Sequence, residues 1–218
     1  MSLDREATKK TRDRYQRLAP IYDTIEAGAE TQYAEWRRQL WSLVEGPKVL
    51  EVGVGTGKNM SYYPEDVEVT AIDLAPGMVK RARQRAEQLE VQVKIKQDDA
   101  QELDFLTGTF DTVVSTFVFC SVPDPMLGLV ELARVAKPEG RLLMLEHVRA
   151  ANPLLGATMD AVNPIVVRMM GANINRQTVQ NVTRSPWQVE RVETLGLGGI
   201  FKLIVARKDA NAIGQYRR

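Results

Sequence analysis

The segment VLEVGVGTGKN (49–59) joins a short apolar run to a loop of alternating glycines. Its pattern is E-x-G-x-G-x-G, in which Glu51 is followed by Gly53, Gly55 and Gly57. The valines and leucine before the loop favour a buried β-strand. Glycines after a strand permit positive φ and let a ligand approach the backbone closely. The segment therefore predicts the first strand and the ligand-binding turn of an α/β sheet.

Two well-known phosphate loops share features with this segment, and it fits neither of them. The Walker loop requires G-x-x-x-x-G-K-[ST]. Here Val52 occupies the position of its first glycine, and Asn59 that of its serine or threonine. The dinucleotide fingerprint G-x-G-x-x-G needs a glycine where Lys58 stands. The loop is therefore predicted to hold neither a nucleoside triphosphate nor a dinucleotide.

The chain around the loop alternates strand-like runs with stretches of helical periodicity. Five runs rich in β-branched and apolar residues are predicted strands: 48–54, 67–73, 91–99, 110–119 and 140–148. Between them, residues 76–90 and 124–137 have the apolar spacing of helices. This alternation predicts a doubly wound, Rossmann-like α/β sheet with five parallel strands and helices on both faces.

The C-terminal third breaks this alternation. Two further predicted strands, 187–195 and 200–208, are separated by only four residues, which is the length of a hairpin connection. The sheet is therefore predicted to have seven strands and to end in an antiparallel hairpin. Before the hairpin, residues 152–185 contain two Asn-Pro breaks, and we expect short helices there, which either cap a substrate site or pack on the sheet.

The chain of 218 residues has the length of a single domain with a few additions. We divide it into an N-terminal helical segment (1–45), a ligand-binding domain (46–208) and a polar tail (209–218). The net charge of +1 gives no general attraction to nucleic acid. The single cysteine, Cys120, excludes an internal disulfide and a cysteine-based zinc cluster, and no metal site is predicted.

The N-terminal segment combines a basic face with an apolar stripe. Residues 8–17, TKKTRDRYQR, carry five basic side chains and one acidic side chain. The stripe follows helical spacing and consists of Leu3, Ala7, Thr11, Tyr15, Leu18 and Tyr22. Such a helix either docks on the domain or lies on an anionic membrane surface. Since no apolar run reaches the ~20 residues of a membrane span, we expect a cytoplasmic protein, in which residues 1–22 either pack on the domain or contact an anionic surface on the inner face of the membrane.

Carboxylates at the ends of the second and third predicted strands suit a nucleoside ligand. Asp73 follows Gly53 by 20 residues, and a carboxylate in that place can accept both hydroxyls of a ribose. Asp99, followed by Ala100, suits the amino group and ring edge of an adenine. Lys58 is the only cation near the loop. The sequence therefore indicates a nucleoside without a pyrophosphate.

Several segments, in this order, resemble the class I S-adenosylmethionine-dependent methyltransferases. They are VLEVGVGTG (49–57), VTAIDLAPGMVKRAR (69–83), DDAQELDF (98–105), FDTVV (110–114) and RVAKPEGRLLMLEH (134–147). The resemblance covers roughly residues 12–208 and implies a methyltransferase that uses S-adenosylmethionine and releases S-adenosylhomocysteine. It also implies these cofactor-binding residues: Glu51, Gly53, Gly55, Gly57, Asn59, Asp73, Leu74, Met78, Asp99, Ala100, Gln101 and Thr116.

The resemblance assigns a part of the cofactor to each strand end. The glycine loop would line the methionine and ribose. Asp73 would accept the ribose hydroxyls, with Leu74 and Met78 beside the adenine. Asp99 and the two residues after it would contact the base, and Thr116 would face the sulfonium.

Within this class, RYQRLAPIYD (14–23) resembles the bacterial phospholipid N-methyltransferases and the quinone C-methyltransferases. STFVFCSVPD (115–124) and LEHV (145–148) also resemble the thiol methyltransferases of animals. The ending GIFKLIVARK (199–208) is more similar to the phospholipid enzymes. We therefore expect a lipid or hydrophobic small-molecule substrate. N-methylation of phosphatidylethanolamine is the first hypothesis, and C-methylation of a quinone or methylation of a thiol or other small molecule is the alternative.

Two side chains are candidates for the chemistry. His147, the single histidine, ends the fifth predicted strand and is either a general base or a structural residue that fixes a loop. Tyr22 either hydrogen-bonds the nucleophile or only packs. A nicotinamide oxidoreductase would need the missing fingerprint, and a nucleic-acid methyltransferase would need a basic, aromatic surface or its own motif after strand four. A non-catalytic S-adenosylmethionine-binding protein remains an alternative.

Overall fold

The computed structural model describes residues 3–196 and 198–209, so nearly all of the predicted tail lies outside the described residues. The strands are β1 (Lys48–Val52), β2 (Glu68–Asp73), β3 (Val93–Gln97), β4 (Phe110–Thr116), β5 (Ala136–His147), β6 (Trp187–Leu195) and β7 (Phe201–Lys208). The helices are α1 (Arg5–Leu18), α2 (Tyr22–Glu26), α3 (Glu30–Trp41), α4 (Pro76–Gln88), α5 (Pro125–Val135), α6 (Pro153–Met170) and α7 (Thr178–Thr183). All seven predicted strands are present.

The seven strands form one sheet in the order β3-β2-β1-β4-β5-β7-β6. Strands β1 to β5 pair in parallel, whereas β7 is antiparallel to both of its neighbours, β5 and β6. The predicted doubly wound fold with a C-terminal hairpin is confirmed, and β7 inserts between β5 and β6. The strand order reverses between β1 and β4. Ligands of such sheets bind at that point, beyond the carboxyl ends of the strands.

Apolar side chains of the central strands form the core. Leu50 of β1, Val113 of β4, Leu142 of β5 and Ile204 of β7 have no exposed surface. Near-continuous burial of this kind is typical of strands covered by helices on both faces. Because this centre is closely packed, it holds the loops that follow β1, β2 and β4 together at one edge of the sheet.

The N-terminal segment forms two helices rather than one continuous stripe. Asp4 caps α1 by accepting hydrogen bonds from two backbone N–H groups. Tyr22 belongs to α2, so the prediction that it continues the apolar stripe of α1 beyond Leu18 is wrong. The interruption falls at Pro20, which lacks an N–H and disfavours a helical residue before it. α1 lies across the carboxyl edge of the sheet, where Gln16 accepts a hydrogen bond from the backbone N–H of Gly77 at 2.6 Å.

The segment before the hairpin contains one long helix, α6, and the short α7. The prediction of short helices is wrong for α6, which continues for 18 residues through Pro164. Asn152 caps its start, and Gly171, with a φ of 82°, ends it. Asn163 anchors its middle by accepting from the backbone N–H of Ile174 at 2.9 Å, which helps to offset the hydrogen bond lost at the proline. Among the described residues, no helix combines the length and the apolar character needed to cross a membrane.

Candidate active site

The three glycines after β1 all have positive φ, and they serve different purposes. The φ angles are 69° at Gly53, 55° at Gly55 and 86° at Gly57. A Cβ on Gly53 would lie 2.3 Å from Val118, and one on Gly57 would lie 2.8 Å from Met60. A Cβ on Gly55 would meet no atom closer than 4.0 Å. Gly53 and Gly57 therefore allow close packing of the turn, whereas Gly55 borders open space that a ligand can fill.

A cleft with an empty volume of about 690 Å³ opens at the reversal of strand order. Gly53 and Gly55 lie on one wall, directly after β1. Thr11 and Tyr15 of α1, together with Tyr22 of α2, cover it from the other side. The N-terminal helices thus form a roof over the place where this fold binds its ligands.

Asp73 ends β2 at the wall of the cleft. Its Oδ2 accepts from the backbone N–H of Gly55 at 3.0 Å, and its Oδ1 accepts from that of Ala75 at 2.8 Å. Burial raises the pKa of Asp73 to about 6, although these backbone hydrogen bonds act to lower it. Each oxygen keeps a lone pair, so the fixed carboxylate can still accept the two hydroxyls of a ribose.

The far end of the cleft holds four of the predicted adenine-side residues, which are Leu74, Met78, Asp99 and Ala100. Gln101 does not line the cleft. Its Nε2 donates to Thr8 at 3.1 Å, and its Oε1 accepts from the backbone N–H of Asp124 at 2.9 Å. Gln101 therefore ties α1 to the start of α5, because both ends of its amide are already used.

A smaller charged cavity, here called the side pocket, continues from the cleft past the glycine loop. The two cavities share five wall residues: Tyr22, Gly53, Gly55, Thr116 and Phe117. The side pocket adds the charged side chains of Glu26, Arg37 and Lys58 and the amide of Asn59. Cations and an anion in one small pocket suit the zwitterionic end of an amino acid.

Partly buried ion pairs hold the charges of the side pocket in place. Lys58 Nζ lies 3.0 Å from a Glu26 oxygen and 2.7 Å from a Glu30 oxygen. Arg37 is only 5% exposed and donates to Asn59 Oδ1 at 2.7 Å. Arg37 and Glu26 were not predicted from the sequence. The one available signal was an arginine inside the otherwise apolar and aromatic face of the WRRQLW run (36–41).

Glu51 and Gly57 line neither cavity. Glu51 is 1% exposed, and it accepts hydrogen bonds from the Tyr63 hydroxyl and, at 2.6 Å, from Asn59 Nδ2. The same Asn59 nitrogen donates to Thr116 Oγ1 at 3.1 Å. Burial raises the pKa of Glu51. The carboxylate therefore lies beneath the loop and orients Asn59, and the cofactor contact that the resemblance implies for Glu51 stays a prediction.

His147 is not among the residues that line the cleft or the side pocket. It ends β5, where its ring lies with the Cys120 thiol and the Glu146 carboxylate, and their polar atoms are within 4.8 Å of one another. Burial lowers the pKa of His147, and its Nδ1 has no hydrogen-bond partner among the described residues. This placement favours the structural alternative, since a general base must reach the proton that it removes.

Tyr22 lies where the cleft meets the side pocket. Its ring centroid is 6.4 Å from that of Tyr15, whose hydroxyl forms a 2.5 Å hydrogen bond with Ser121 Oγ. Burial raises the pKa of both tyrosines well above the usual value. Both hydroxyls therefore stay neutral near pH 7 and act as hydrogen-bonding groups. Tyr15 and Ser121 also line the cleft, and neither was predicted as a site residue.

The turn after β4 carries a strained residue at the edge of both cavities. Phe117 has a φ of 57°, which is rare outside glycine. Glu146 closes this turn, since its Oε1 accepts from the backbone N–H groups of Val118 and Phe119 at 3.0 and 3.1 Å and from the Ser115 hydroxyl at 3.1 Å. Burial raises the pKa of Glu146 to about 7. Glu146 thus positions the Phe117 side chain beside the ligand space.

Comparison with known proteins agrees with this geometry. A family described as a methyltransferase domain matches residues 50–144. The chain is 40% identical over 195 residues to the phosphatidylethanolamine N-methyltransferase of Cereibacter sphaeroides. The alignment covers 87% of this chain and 93% of that protein. It is 31% identical over 165 residues to the demethylmenaquinone methyltransferase of Deinococcus radiodurans, covering 72% and 68% of the two chains.

A solved geranyl diphosphate methyltransferase in complex with S-adenosylmethionine has the same fold, with a TM-score of 0.65 at 17% identity over 81% of this chain and 84% of that one. The site has the features that this cofactor needs: an open glycine at Gly55, a fixed carboxylate at Asp73 and a charged side pocket. When bound, the cofactor supplies an activated methyl group on a sulfonium. The chain belongs to the S-adenosylmethionine-dependent methyltransferases.

Proposed function

We propose that this enzyme methylates the amine of phosphatidylethanolamine, on the route to phosphatidylcholine. The observation that carries the proposal is the 40% identity to the phosphatidylethanolamine N-methyltransferase of C. sphaeroides over 93% of that protein. The aligned length of 195 residues extends well beyond residues 50–144, which the methyltransferase-domain family matches. The similarity therefore includes parts of the chain outside the generic cofactor fold.

The reaction needs an uncharged amine in line with the bond between methyl and sulfur. A C–N bond forms as the C–S bond breaks, and the sulfonium leaves as a neutral thioether. Positioning and exclusion of water then supply most of the catalysis. In the proposed arrangement, Asp73 accepts the ribose hydroxyls, and Arg37 and Lys58 face the carboxylate of the amino-acid end. Thr116 and Phe117, which both cavities share, border the reacting centre.

Tyr22 is the proposed hydrogen-bond partner of the amine, which must lose a proton before it attacks. Because burial raises its pKa, the Tyr22 hydroxyl stays protonated and accepts a hydrogen bond through its oxygen. It therefore orients the nitrogen lone pair and does not carry away the proton as a strong base. The Tyr15–Ser121 pair, with 2.5 Å between its oxygens, places two more hydroxyls in the cleft wall.

A phospholipid acceptor requires contact with a membrane, and we propose residues 1–22 as part of that contact. The free charge of α1 is smaller than its composition suggests. Lys9 and Lys10 each pair with an acid one turn away at 2.6 Å. Arg14 and Arg17 form no ion pair with any described residue. These two arginines are the cations of α1 that remain for anionic headgroups.

The test is methyl transfer from labelled S-adenosylmethionine to phosphatidylethanolamine in detergent micelles, with demethylmenaquinone micelles assayed in parallel. We expect label in monomethyl-phosphatidylethanolamine and none in the quinone. An Asp73→Ala variant is the control, and it should lose label together with cofactor affinity. Label in the quinone alone would replace the proposal with C-methylation, for which the 31% identity to the Deinococcus enzyme is the supporting observation.

A further inference from the structure

Helix α6 presents an exposed apolar face that the fold leaves uncovered. Five large side chains make up this face, here called the α6 stripe: Leu154, Leu155, Val162, Ile165 and Met169. Leu154 is 80% exposed, Met169 71% and Ile165 60%. At 100° per residue the five lie within an arc of about 100°, which is the width of an amphipathic helix's apolar face. A stripe of this size on a surface marks an interface.

The opposite face of α6 attaches the helix to the rest of the chain. Gly156 packs against the Arg149 guanidinium, which also holds Asp160 at 2.8 Å. Asn163 accepts from the backbone N–H of Ile174 at 2.9 Å. Because these contacts fix the rotation of the helix, the stripe faces outward. Of the described side chains in the expected substrate cap, none lines the cleft.

The C-terminal end of α6 lies beside the helix that roofs the cleft. A Cβ on Gly171, the residue that ends α6, would lie 2.5 Å from Arg14 Cδ of α1. Thr11 and Tyr15 of the same helix line the cleft. The stripe therefore ends beside the helix that covers the cleft, although none of the five side chains of the stripe lines the cleft.

Free cations accompany the stripe. Arg168 is on α6, Arg14 touches the end of α6 and Arg17 follows one turn later on α1. None of the three forms an ion pair with a described residue. The one acid of α6, Asp160, is on the attached face and is bound to Arg149. A second copy of this chain would bring the same cations to this face without an acid to neutralise them. The complementary partner is both apolar and anionic.

We infer that α6 docks on an anionic lipid bilayer, with the α6 stripe among the acyl chains and Arg14, Arg17 and Arg168 at the lipid phosphates. An interfacial helix inserts its apolar face about 5–10 Å below the headgroups, and apolar area and charge both contribute to its affinity. The inference rests on the proposed function only in requiring a membrane-borne acceptor. It places α1, which covers the cleft, next to the headgroup layer.

The experiment is co-sedimentation with phosphatidylcholine vesicles that contain or lack phosphatidylglycerol. The test variant is Leu154→Gln/Ile165→Gln/Met169→Gln, since these exposed positions contribute little to the core. The matched control is Leu106→Gln, which removes an 84% exposed leucine in the loop before β4, at the opposite edge of the sheet. We expect the triple variant to bind about 100-fold more weakly, from three side chains that no longer enter the acyl layer. The control should bind like the wild type.

A second pair of variants tests the charge. Arg17→Gln/Arg168→Gln should abolish the preference for phosphatidylglycerol, whereas Lys48→Gln/Lys94→Gln, away from α6, should keep it. Circular dichroism and the thermal midpoint show whether each variant is folded. Wild-type binding by a folded stripe variant would overturn the inference, as would a dimer in solution that the stripe variant converts to a monomer.

Activity in detergent separates this inference from the proposed function. A folded stripe variant should methylate micellar phosphatidylethanolamine at the wild-type rate and lose activity only on vesicles. Methylation of micelles by a wild type that binds no vesicles would remove the docking inference and leave the proposed function. If the wild type binds vesicles but methylates phosphatidylethanolamine neither in micelles nor in vesicles, the proposed function fails and the docking inference remains.

Discussion

Glu146 shows how one buried residue shapes the site without reaching it. Its Oε1 takes three hydrogen bonds that hold the strained turn at Phe117, while its Oε2 has no partner among the described residues. Burial raises its pKa from 4.5 to about 7. The native state therefore binds a proton that the unfolded state has already released between those two values.

This shift predicts a pH dependence of stability. Since the native state holds more protons, the free energy of unfolding falls as pH rises from about 4.5 to about 7 and is constant beyond. The loss is on the order of 3 kcal/mol for a shift of this size. In Glu146→Gln, Oε1 keeps its hydrogen bonds and the titration is gone. Urea denaturation at pH 5, 6, 7 and 8 gives the free energy of unfolding at each pH. This free energy should fall less steeply with pH in the variant than in the wild type.

The slope is the diagnostic quantity, because the new amide also leaves a buried donor unsatisfied and lowers stability at every pH. Asp73, with its pKa raised to about 6, contributes a similar slope in both proteins. Glu65→Gln, at an exposed loop position, is the control and should follow the wild type. Parallel curves for the wild type and Glu146→Gln would show that Glu146 does not titrate differently on folding.

Among single residues, those whose position follows from the local sequence pattern could be predicted. Gly55 and Asp73 lie at strand ends, and their positions follow from the strand pattern alone. Arg37 and Glu146 could not be found in this way, because each acts through residues distant in sequence, Asn59 for the first and the 117–119 turn for the second. The hydrogen bonds that Glu51 accepts beneath the loop, from Asn59 and Tyr63, likewise do not follow from the strand pattern.

At the scale of elements, one carboxylate makes several of the polar contacts that attach the roof over the cleft. Asp23 of α2 accepts from the Thr56 hydroxyl at 2.6 Å, within the glycine loop. It also contacts Arg85 at 2.9 Å and Arg81 at 3.4 Å on α4. Because none of the residues of α1 and α2 is fully buried, such polar contacts carry much of the attachment of the roof.

We predict that Asp23→Ala loosens the roof while the sheet stays intact. Amide hydrogen exchange in residues 5–26 should accelerate about tenfold or more, as local opening becomes easier. Affinity for S-adenosylhomocysteine should fall about tenfold, since Tyr22 closes the side pocket from α2. Asp13→Ala, which removes an exposed pair on the same roof, is the control. Equal exchange in Asp23→Ala and the wild type would show that apolar packing alone holds the roof.

The helices also show the limit of reading elements from sequence. The strands followed from β-branched runs, but the two Asn-Pro pairs in 152–185 favoured short helices. In the fold, Asn152-Pro153 starts α6, while Asn163-Pro164 lies inside it. A local pattern cannot distinguish these two outcomes. The side-chain contact from Asn163 to Ile174 lies across the end of the helix and depends on the tertiary structure.

For the whole molecule, the ligand space is assembled from separate parts of the chain. The sheet supplies the glycine loop and Asp73, whereas α2 and α3 supply the Glu26 and Arg37 charges of the side pocket. The two parts should recognise different ends of one ligand. Asp73 suits the ribose, and the side pocket suits the amino-acid end.

This division predicts how two products of the cofactor stabilise the protein. A ligand at 100 times its dissociation constant adds about 2.7 kcal/mol, which is roughly 5–10 °C in Tm for a chain of this size. S-adenosylhomocysteine should give such a shift, and 5′-methylthioadenosine, which lacks the amino-acid end, should give a smaller one at the same concentration. In Arg37→Gln, the Tm shifts that the two ligands give should become nearly equal. Each shift is measured from the Tm of the variant without ligand. Equal shifts in the wild type would mean that the amino-acid end gains nothing from the side pocket, and that Arg37 and Lys58 serve only to join the N-terminal helices to the sheet.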